Sequence, residues 1–514
     1  MDSDDARKES LDELTRSSRE LYPIALDALE EITSEITGLP PDGLSFGRLS
    51  RFFLMHFCDQ FVYQERTPHQ PPDSSERTSV RIPSWTSAVQ SIAEEREEVI
   101  KRVLAANLGN PLFAPSGGPE RVEASIRTRF LSKLGSKRAP VAVVEPYLKC
   151  SFREETFASF RSRSVSKWVA VPTFDVPHVE VNQLARGALA VAQAGNSDRR
   201  SMVRSALALT APTELVEGVH VLSDAAARIR VEYPEVIYTA NAYQSSPRFR
   251  FWAEGLRKHG ARLVTHQHGG GYGIDRFHLG EEFDTSVSDV FYTWGWTDSR
   301  RVETTRPLPT SYPERHHHGP TAEYLLVTLP VTTHVYRLQS FLMPSQVSRV
   351  VTETVALVNG LAASTRLRIR SYKVEKFPLE LLRSSSAAID FDPLHESGTM
   401  ASSRSKLVIH NYLGTSWLET LAMNVPTVCF YDPAMYQPRE DARPFVESLA
   451  RVGVIHHSGM EAARFVNQLN GDPSAWWNSA DVQEAREAFV ARYANFSEDW
   501  LQAWTDEFER LLAE

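Results

Sequence analysis

The run His266-Gln267-His268-Gly269-Gly270-Gly271-Tyr272-Gly273 constrains this chain more than any other segment. It follows Ala261-Arg262-Leu263-Val264-Thr265, an apolar stretch that reads as a buried strand. A glycine surrenders more backbone freedom on folding than any other residue, so a cluster of them needs a reason. The common reasons are close approach of backbone to a ligand and dihedrals that side chains forbid. Ligands of open α/β sheets sit at the carboxyl ends of strands, so the segment reads as the wall of an active site. The plain alternative is a glycine-rich loop with two solvated histidines.

At 514 residues the chain exceeds one ordinary core, and two or three domains are expected. Hydrophobic residues at 42% and charged residues at 24% are those of a globular protein. No apolar run approaches the ~18 residues of a membrane span, and the acidic start of the chain is unlike a signal peptide. A cytoplasmic protein is expected, touching the inner membrane face at most peripherally. Cys58, Cys150 and Cys429 lie far apart in apolar surroundings, which suits core packing in a reducing compartment. Of the net charge of −9, residues 1–35 alone supply −7. The remainder is nearly neutral, which argues against nucleic acid as the partner.

The first third reads as helical. Leu11, Leu14, Leu21, Ile24, Leu26 and Leu29 recur at roughly helical spacing, and Leu49–Tyr63 is a second apolar helix. Breakers follow at Thr67–Ser74 and Pro115–Pro119. Strands are then expected at Pro140–Glu145, Lys167–Val171, Glu235–Ala240 and Arg262–Thr265, with helices between them. A loop-rich join over Trp294–Thr321 contains His316-His317-His318. A second alternation follows, with strands at Tyr324–Leu329, Leu367–Arg370, Ala388–Phe391, Leu407–His410 and Thr427–Tyr431. Alternation of this kind implies parallel sheets with crossover helices. The fold class is therefore α/β: two Rossmann-like domains behind an N-terminal helical extension. The expected divisions are 1–139 helical, 140–300 and 301–478 Rossmann-like, and 479–514 as helices packing back on the first domain. Ser497 is a candidate cap for a final helix whose Trp500, Trp504, Phe508 and Leu511 form one apolar stripe.

Three further groups carry chemistry. In His410–Glu419 a strand turns through Gly414 into a helix starting at Thr415 or Ser416, a ready site for phosphate. The Ser416-x-x-Glu419 spacing is also a capping box, which gives Glu419 a bland reading beside a functional one as a ribose hydroxyl acceptor. Arg368 and Arg370 share a strand face, with Lys373 just beyond, and need an anionic partner: donor phosphate or a protein carboxylate. Glu145 closes the first strand as a candidate base or positioning carboxylate. His266-x-His268, His316–His318 and His456-His457 lack the partners and spacing of zinc sites, so no metal is expected.

The segments Gln267-His268-Gly269-Gly270-x-Tyr272-Gly273, Thr293-Trp294-Gly295-Trp296 and Gly414-Thr415-Ser416-x-x-Glu419-x-Leu421-x-x-Asn424-x-Pro426 carry a resemblance. Together they are similar to a family of bacterial sugar transferases found with surface-polysaccharide and lipopolysaccharide genes. The resemblance runs from about Glu235 to Ala491, ending in Trp476-Trp477 and Gln483-x-x-Arg486-x-x-Phe489, and is faint in the first third. It implies a GT-B glycosyltransferase whose second domain holds most of the donor. More distantly, the pattern resembles transferases of CMP-activated acidic sugars such as Kdo.

Glycosyl transfer needs a site for the leaving phosphate, a group to take the acceptor proton, and a cleft that excludes water. Thr415, Ser416 and their helix start suit the first, with Gly269 and Gly270 letting backbone approach the donor. His268 suits the second, and Glu145 is the runner-up. His266, still within the strand, is expected to pack or bond locally. The expected partners are a nucleotide-sugar substrate and a glycan or lipid-linked acceptor, with no cofactor and no nucleic acid. Rival readings are a GT-B-like epimerase, a polyol-phosphate transferase, and a non-catalytic nucleotide-sugar-binding scaffold.

Overall fold

The computed structural model describes residues 5–67, 79–80, 93–105, 112–113, 140–148, 166–168, 179–192, 198–227, 234–313, 323–331, 334–335, 338, 343–371, 377–382 and 388–514. Lys373, Cys150, His316–His318, most of the Thr67–Ser74 breaker, the Pro115–Pro119 turn and Val169–Val171 lie outside them. Two separate six-stranded sheets, each wholly parallel, form the body of the protein. The first contains β1 (Val141–Val144), β2 (Ser166–Trp168), β3 (Val236–Thr239), β4 (Arg262–His266), β5 (Val290–Thr293) and β6 (Thr305–Pro307), in the order β2-β1-β3-β4-β5-β6. The second contains β7 (Tyr324–Val327), β8 (Arg366–Arg370), β9 (Ala388–Phe391), β10 (Leu407–His410), β11 (Thr427–Phe430) and β12 (Ile455–His456), in the order β9-β8-β7-β10-β11-β12. These are two Rossmann-like units. Every residue of β1, β3, β5, β10 and β11 is buried, as strands covered on both faces require.

The helices are α1 (Asp5–Thr37), α2 (Gly43–Arg66), α3 (Ala93–Leu104), α4 (Gln183–Ala192), α5 (Arg199–Thr210), α6 (Val219–Ala227), α7 (Pro247–Arg257) and α8 (Leu279–Val287) in the first part. They continue as α9 (Pro344–Gly360), α10 (Gly398–Arg404), α11 (Thr415–Ala422), α12 (Arg443–Arg451), α13 (Gly459–Gln468), α14 (Ala480–Tyr493) and α15 (Trp500–Ala513). Among the described residues no helix is long and apolar enough to cross a membrane.

The N-terminal helices touch both units. Leu21, Leu29, Phe57, Phe61 and Ile100 share one core with Val203 and Leu207 of α5 and with Leu338 and Met343 beyond β7. Polar groups reinforce the link. Asp59 accepts from the Leu338 amide at 3.1 Å, Glu97 accepts from the Val335 amide at 3.0 Å, and Gln60 donates to the Val335 carbonyl at 2.7 Å. Arg19 bridges Asp59 and Glu282 of α8.

At the other end, Trp500, Trp504, Phe508 and Leu511 of α15 bury against Val141, Tyr238, Val264 and Tyr292 of the first sheet. The Trp504 indole donates to the Pro309 carbonyl at 2.9 Å. Ser497 is not the cap of this helix. It pairs with Ser311 in a short parallel strand, and the helix starts behind Asp499 without a side-chain cap.

Candidate active site

Both sheets present a switch point, where neighbouring strands are connected in opposite directions; in open α/β sheets ligands bind beyond the carboxyl ends of the strands at such a point. In the first sheet it lies between β1 and β3; in the second it lies between β7 and β10. Beyond β1 stand Glu145 and Tyr147, beyond β4 stands the glycine run, and beyond β10 stands the Gly414-Thr415-Ser416 turn.

The glycine run is fixed residue by residue. Gln267 receives the Trp294 amide at 3.0 Å and the Trp296 indole N–H at 2.9 Å, and donates to the Gly269 carbonyl at 2.9 Å. That one side chain explains why the Gln-His-Gly-Gly and Thr-Trp-Gly-Trp segments occur together. Gly273 has φ +74, and a Cβ there would fall 2.4 Å from the Trp296 ring. The Gly270 amide donates to Oγ1 of Thr415 at 2.8 Å, across 145 residues. A Cβ on Gly270 would lie 2.6 Å from the Gly414 carbonyl carbon and the Thr415 nitrogen, so only glycine permits this approach.

The two histidines go to different places. His266 is wholly buried, 3.3 Å from the Tyr238 hydroxyl through Nδ1 and against the Trp504 ring. Burial and the neighbouring His268 push its pKa down to about 3. His268 points away from that core, with its side chain 16% exposed. Its Nδ1 lies 3.5 Å from the Tyr272 hydroxyl and 3.9 Å from Oδ2 of Asp284 on α8. Asp284, 1% exposed, accepts from Tyr272 at 2.9 Å and from Gln244 at 2.9 Å. The Tyr272 hydroxyl thus links His268 to a buried carboxyl group that favours the imidazolium when it is ionised. Neither Asp284 nor Gln244 carries any sequence signal; Tyr272 stood in the motif without a role.

Burial pushes the Asp284 carboxyl up to about 7, against the hydrogen bonds from Gln244 and Tyr272. Between about pH 4 and 7 the folded protein then holds a proton that the unfolded chain has released. This contribution to stability is full below pH ~4 and is lost as pH rises through 7. Glu214, also pushed up to about 7 by burial, has the same sign. His266 and His410, each pushed down to about 3, have the opposite sign and lose stability as pH falls below about 6.5. We therefore expect Asp284→Asn to gain on the wild type as pH rises from 4 to 7, by at most roughly 1.4 kcal/mol per pH unit. Urea unfolding of both proteins across that range measures it, and a flat difference would show that the carboxyl titrates normally.

At the second switch point the helix cap is Gly414, with no side-chain cap bond. This corrects the capping-box expectation: Ser416 lies inside the first turn and Glu419 on its next turn, half-buried. The Ser416 hydroxyl lies 3.1 Å from the Tyr412 hydroxyl and 3.5 Å from Nδ1 of buried His410. The first-turn N–H groups of α11 have no acceptor within the helix, and Gly270 packs against the start of that turn. Several other residues of the family-like pattern scaffold this helix. Asn424, at φ +55, ends it and accepts from the Trp477 indole at 2.8 Å and Gln483 at 3.2 Å. Arg486 donates to the Leu421 carbonyl at 3.0 Å, and Phe489 packs on Trp417.

The remaining candidates are distributed less compactly. Arg368 pairs with Glu323 at 2.5 Å, while Arg370 pairs with Asp392 at 3.0 Å and donates to the Glu396 carbonyl. Of the two partners open to them, protein carboxylates are what the structure supplies; neither arginine is engaged with the α11 turn. Glu145, at φ +42, accepts from Ser245 at 3.2 Å across the first switch point. Burial raises its pKa. Thr415, Gly270 and His268 are brought together; Arg368 and Arg370 are not.

The units are also clasped beyond the site. Arg439 donates to the Gly273 carbonyl at 2.6 Å and to Glu281 at 2.9 Å while lying over the Trp296 ring. Tyr436 bonds Asp275, and Tyr272, Ile274, Trp294 and Trp296 share a core with Leu413, Trp417 and Phe489. The face between the units is thus packed, with His268 at its edge.

Among solved structures, the chain is similar to Acinetobacter baumannii MurG at 10% identity, covering 72% of this chain and 99% of that one, TM-score 0.36. It is also similar to the glycosyltransferase SnogD from Streptomyces nogalater at 11% identity, covering 73% and 99%, TM-score 0.38. The spinosyn forosaminyltransferase SpnP is similar at 13% identity, covering 73% and 99%, TM-score 0.37. No curated protein sequence matches. The model of the LIC12162 family of transferases matches residues 88–508, most of the chain including both sheets and the glycine run, and the protein belongs to that family.

Proposed function

We propose that this transferase moves a sugar from a nucleotide-activated donor to an acceptor hydroxyl. The hydrogen bond from Gly270 to Thr415 carries the reading, because it sets the His268 loop against the N-terminus of α11. A leaving phosphate at that N-terminus meets outward N–H groups and the positive end of the helix dipole. His268 takes the acceptor proton as the new glycosidic bond forms and the bond from the sugar's anomeric carbon to the leaving phosphate breaks, and Asp284, when ionised, favours the imidazolium. We propose that the transfer needs no metal ion. The likeness of the glycine run and the Gly-Thr-Ser turn to surface-polysaccharide enzymes supports a glycan or lipid-linked acceptor, and their distant likeness to CMP-sugar transferases supports an acidic-sugar donor. Work at the cytoplasmic face of a membrane suits such an acceptor.

The test is turnover of CMP-, UDP-, GDP- and CDP-sugars with and without bacterial glycolipid extract. Released nucleotide and a glycosylated product are expected with one donor class. Tight nucleotide binding without turnover under both conditions would favour a binding scaffold instead. For the phosphate site, Ser416→Ala should weaken donor affinity by about tenfold. Melting temperature should hardly move, because Gly414 rather than Ser416 caps the helix. Calorimetry and a melting curve on the same preparation check both. Unchanged affinity would remove Ser416 from the site.

A further inference from the structure

We propose that Tyr147, at the switch point of the first sheet, is the stacking platform for the acceptor, and that the acceptor presents a pyranose ring there. This rests on the glycosyl-transfer reading and adds to it the second substrate's position and class. Four observations support it.

Tyr147 is 58% exposed at the carboxyl end of β1, and an exposed aromatic beside a switch point is a candidate ligand surface. Its ring centroid lies 5.7 Å from that of His268, in an edge-on arrangement, so a molecule lying on the ring is within reach of the imidazole. The backbone is held in an unusual shape to place it. Glu145 and Tyr147 have φ of +42 and +54, two non-glycine residues in the left-handed region within three positions. Such strain persists where surrounding contacts impose it, and it clusters at ligand sites. Here the Tyr238 hydroxyl holds the intervening Pro146 carbonyl at 3.4 Å, and Ser245 holds the Glu145 carboxylate.

The fourth observation is order in space. Tyr147, beside His268, follows β1 of the first sheet, whereas Thr415, which Gly270 meets, follows β10 of the second. A donor phosphate at α11 and an acceptor on Tyr147 would therefore reach the same imidazole from different units. The class of acceptor follows from the chemistry of the pair. An exposed aromatic face accepts the C–H face of a sugar ring, and a carboxylate two residues away accepts its hydroxyls. A nucleobase would also stack on an aromatic face, but it travels with the donor phosphate, which the helix start of the second unit holds.

The experiment uses the full chain with p-nitrophenyl β-glucoside, β-galactoside and β-N-acetylglucosaminide as acceptor probes. Binding is followed by saturation-transfer NMR, and CMP, UDP and GDP affinities by calorimetry. At least one glycoside should bind the wild type, with sugar-ring protons saturated. Tyr147→Ala should weaken it by about tenfold, Tyr147→Phe by less than about twofold, and nucleotide affinity should stay constant in both. Equal glycoside binding by wild type and Tyr147→Ala would overturn the proposal, as would binding of none of the three. A loss of nucleotide affinity in Tyr147→Ala would assign the ring to the donor base and also overturn it. Failure of the glycosyl-transfer reading would look different: glycoside binding that depends on Tyr147, with no nucleotide bound and no nucleotide sugar turned over.

Discussion

Replacing His268 with Ala or Asn is expected to lower turnover at least about a hundredfold, since a general acid–base group supplies 10²–10⁴-fold in rate. Donor affinity and melting temperature should change little, because the ring is partly exposed and its removal opens no core. His266→Ala is the control. That residue is packed against Tyr238 and Trp504, so its loss should lower stability by roughly 2–3 kcal/mol while the folded fraction keeps most of its activity. Turnover measured alongside thermal melting for the two variants separates the roles. Reversal of the pattern, with His266 essential and His268 dispensable, would overturn the assignment. If neither mattered, Glu145 would become the leading base.

A single methyl group at residue 270 should be nearly as damaging. The Cβ of Gly270→Ala would meet the backbone of Gly414 and Thr415 at 2.6 Å, and backbone atoms cannot rotate away as a side-chain tip can. Either the loop or α11 must move. Overpacking of this kind costs about 1–3 kcal/mol. A displacement near 1 Å between His268 and the phosphate site is enough to cost about a hundredfold in rate. The expected result is a lowered melting temperature together with a loss of turnover near that of His268→Ala. Wild-type turnover in a Gly270→Ala protein would mean that contact between the loop and α11 plays no part in catalysis.

Much of this arrangement is legible in the sequence because strands buried on both faces leave short apolar runs with polar or glycine residues at their ends. Ala388–Phe391 and Leu407–His410 are strands at the expected limits, and β1, β3 and β4 differ by a residue or so. The sites attached to those ends are legible for the same reason. Partners brought in by tertiary structure are not. Asp284 is an ordinary acid inside an amphipathic helix until the fold sets it behind His268. Arg368 and Arg370 find their carboxylates at 323 and 392, at distances no local spacing reveals. Ser416 fits a capping box by spacing, but Gly414 takes the cap position and the serine turns toward Tyr412 and His410. Family-like residues also divide in a way sequence cannot show. Gln267, Trp296, Asn424, Trp477 and Arg486 hold the loop and α11 in place, while His268 stays partly exposed beside the α11 turn.

The central claim is that a donor phosphate sits at the N-terminus of α11 within reach of His268. A crystal of the full chain soaked with CMP, UDP, GDP or CDP tests it most directly. Phosphate oxygens are expected within hydrogen-bond distance of the Thr415 and Ser416 backbone N–H groups, on the side facing His268. An ordered nucleotide bound elsewhere, with that helix start empty, would contradict it.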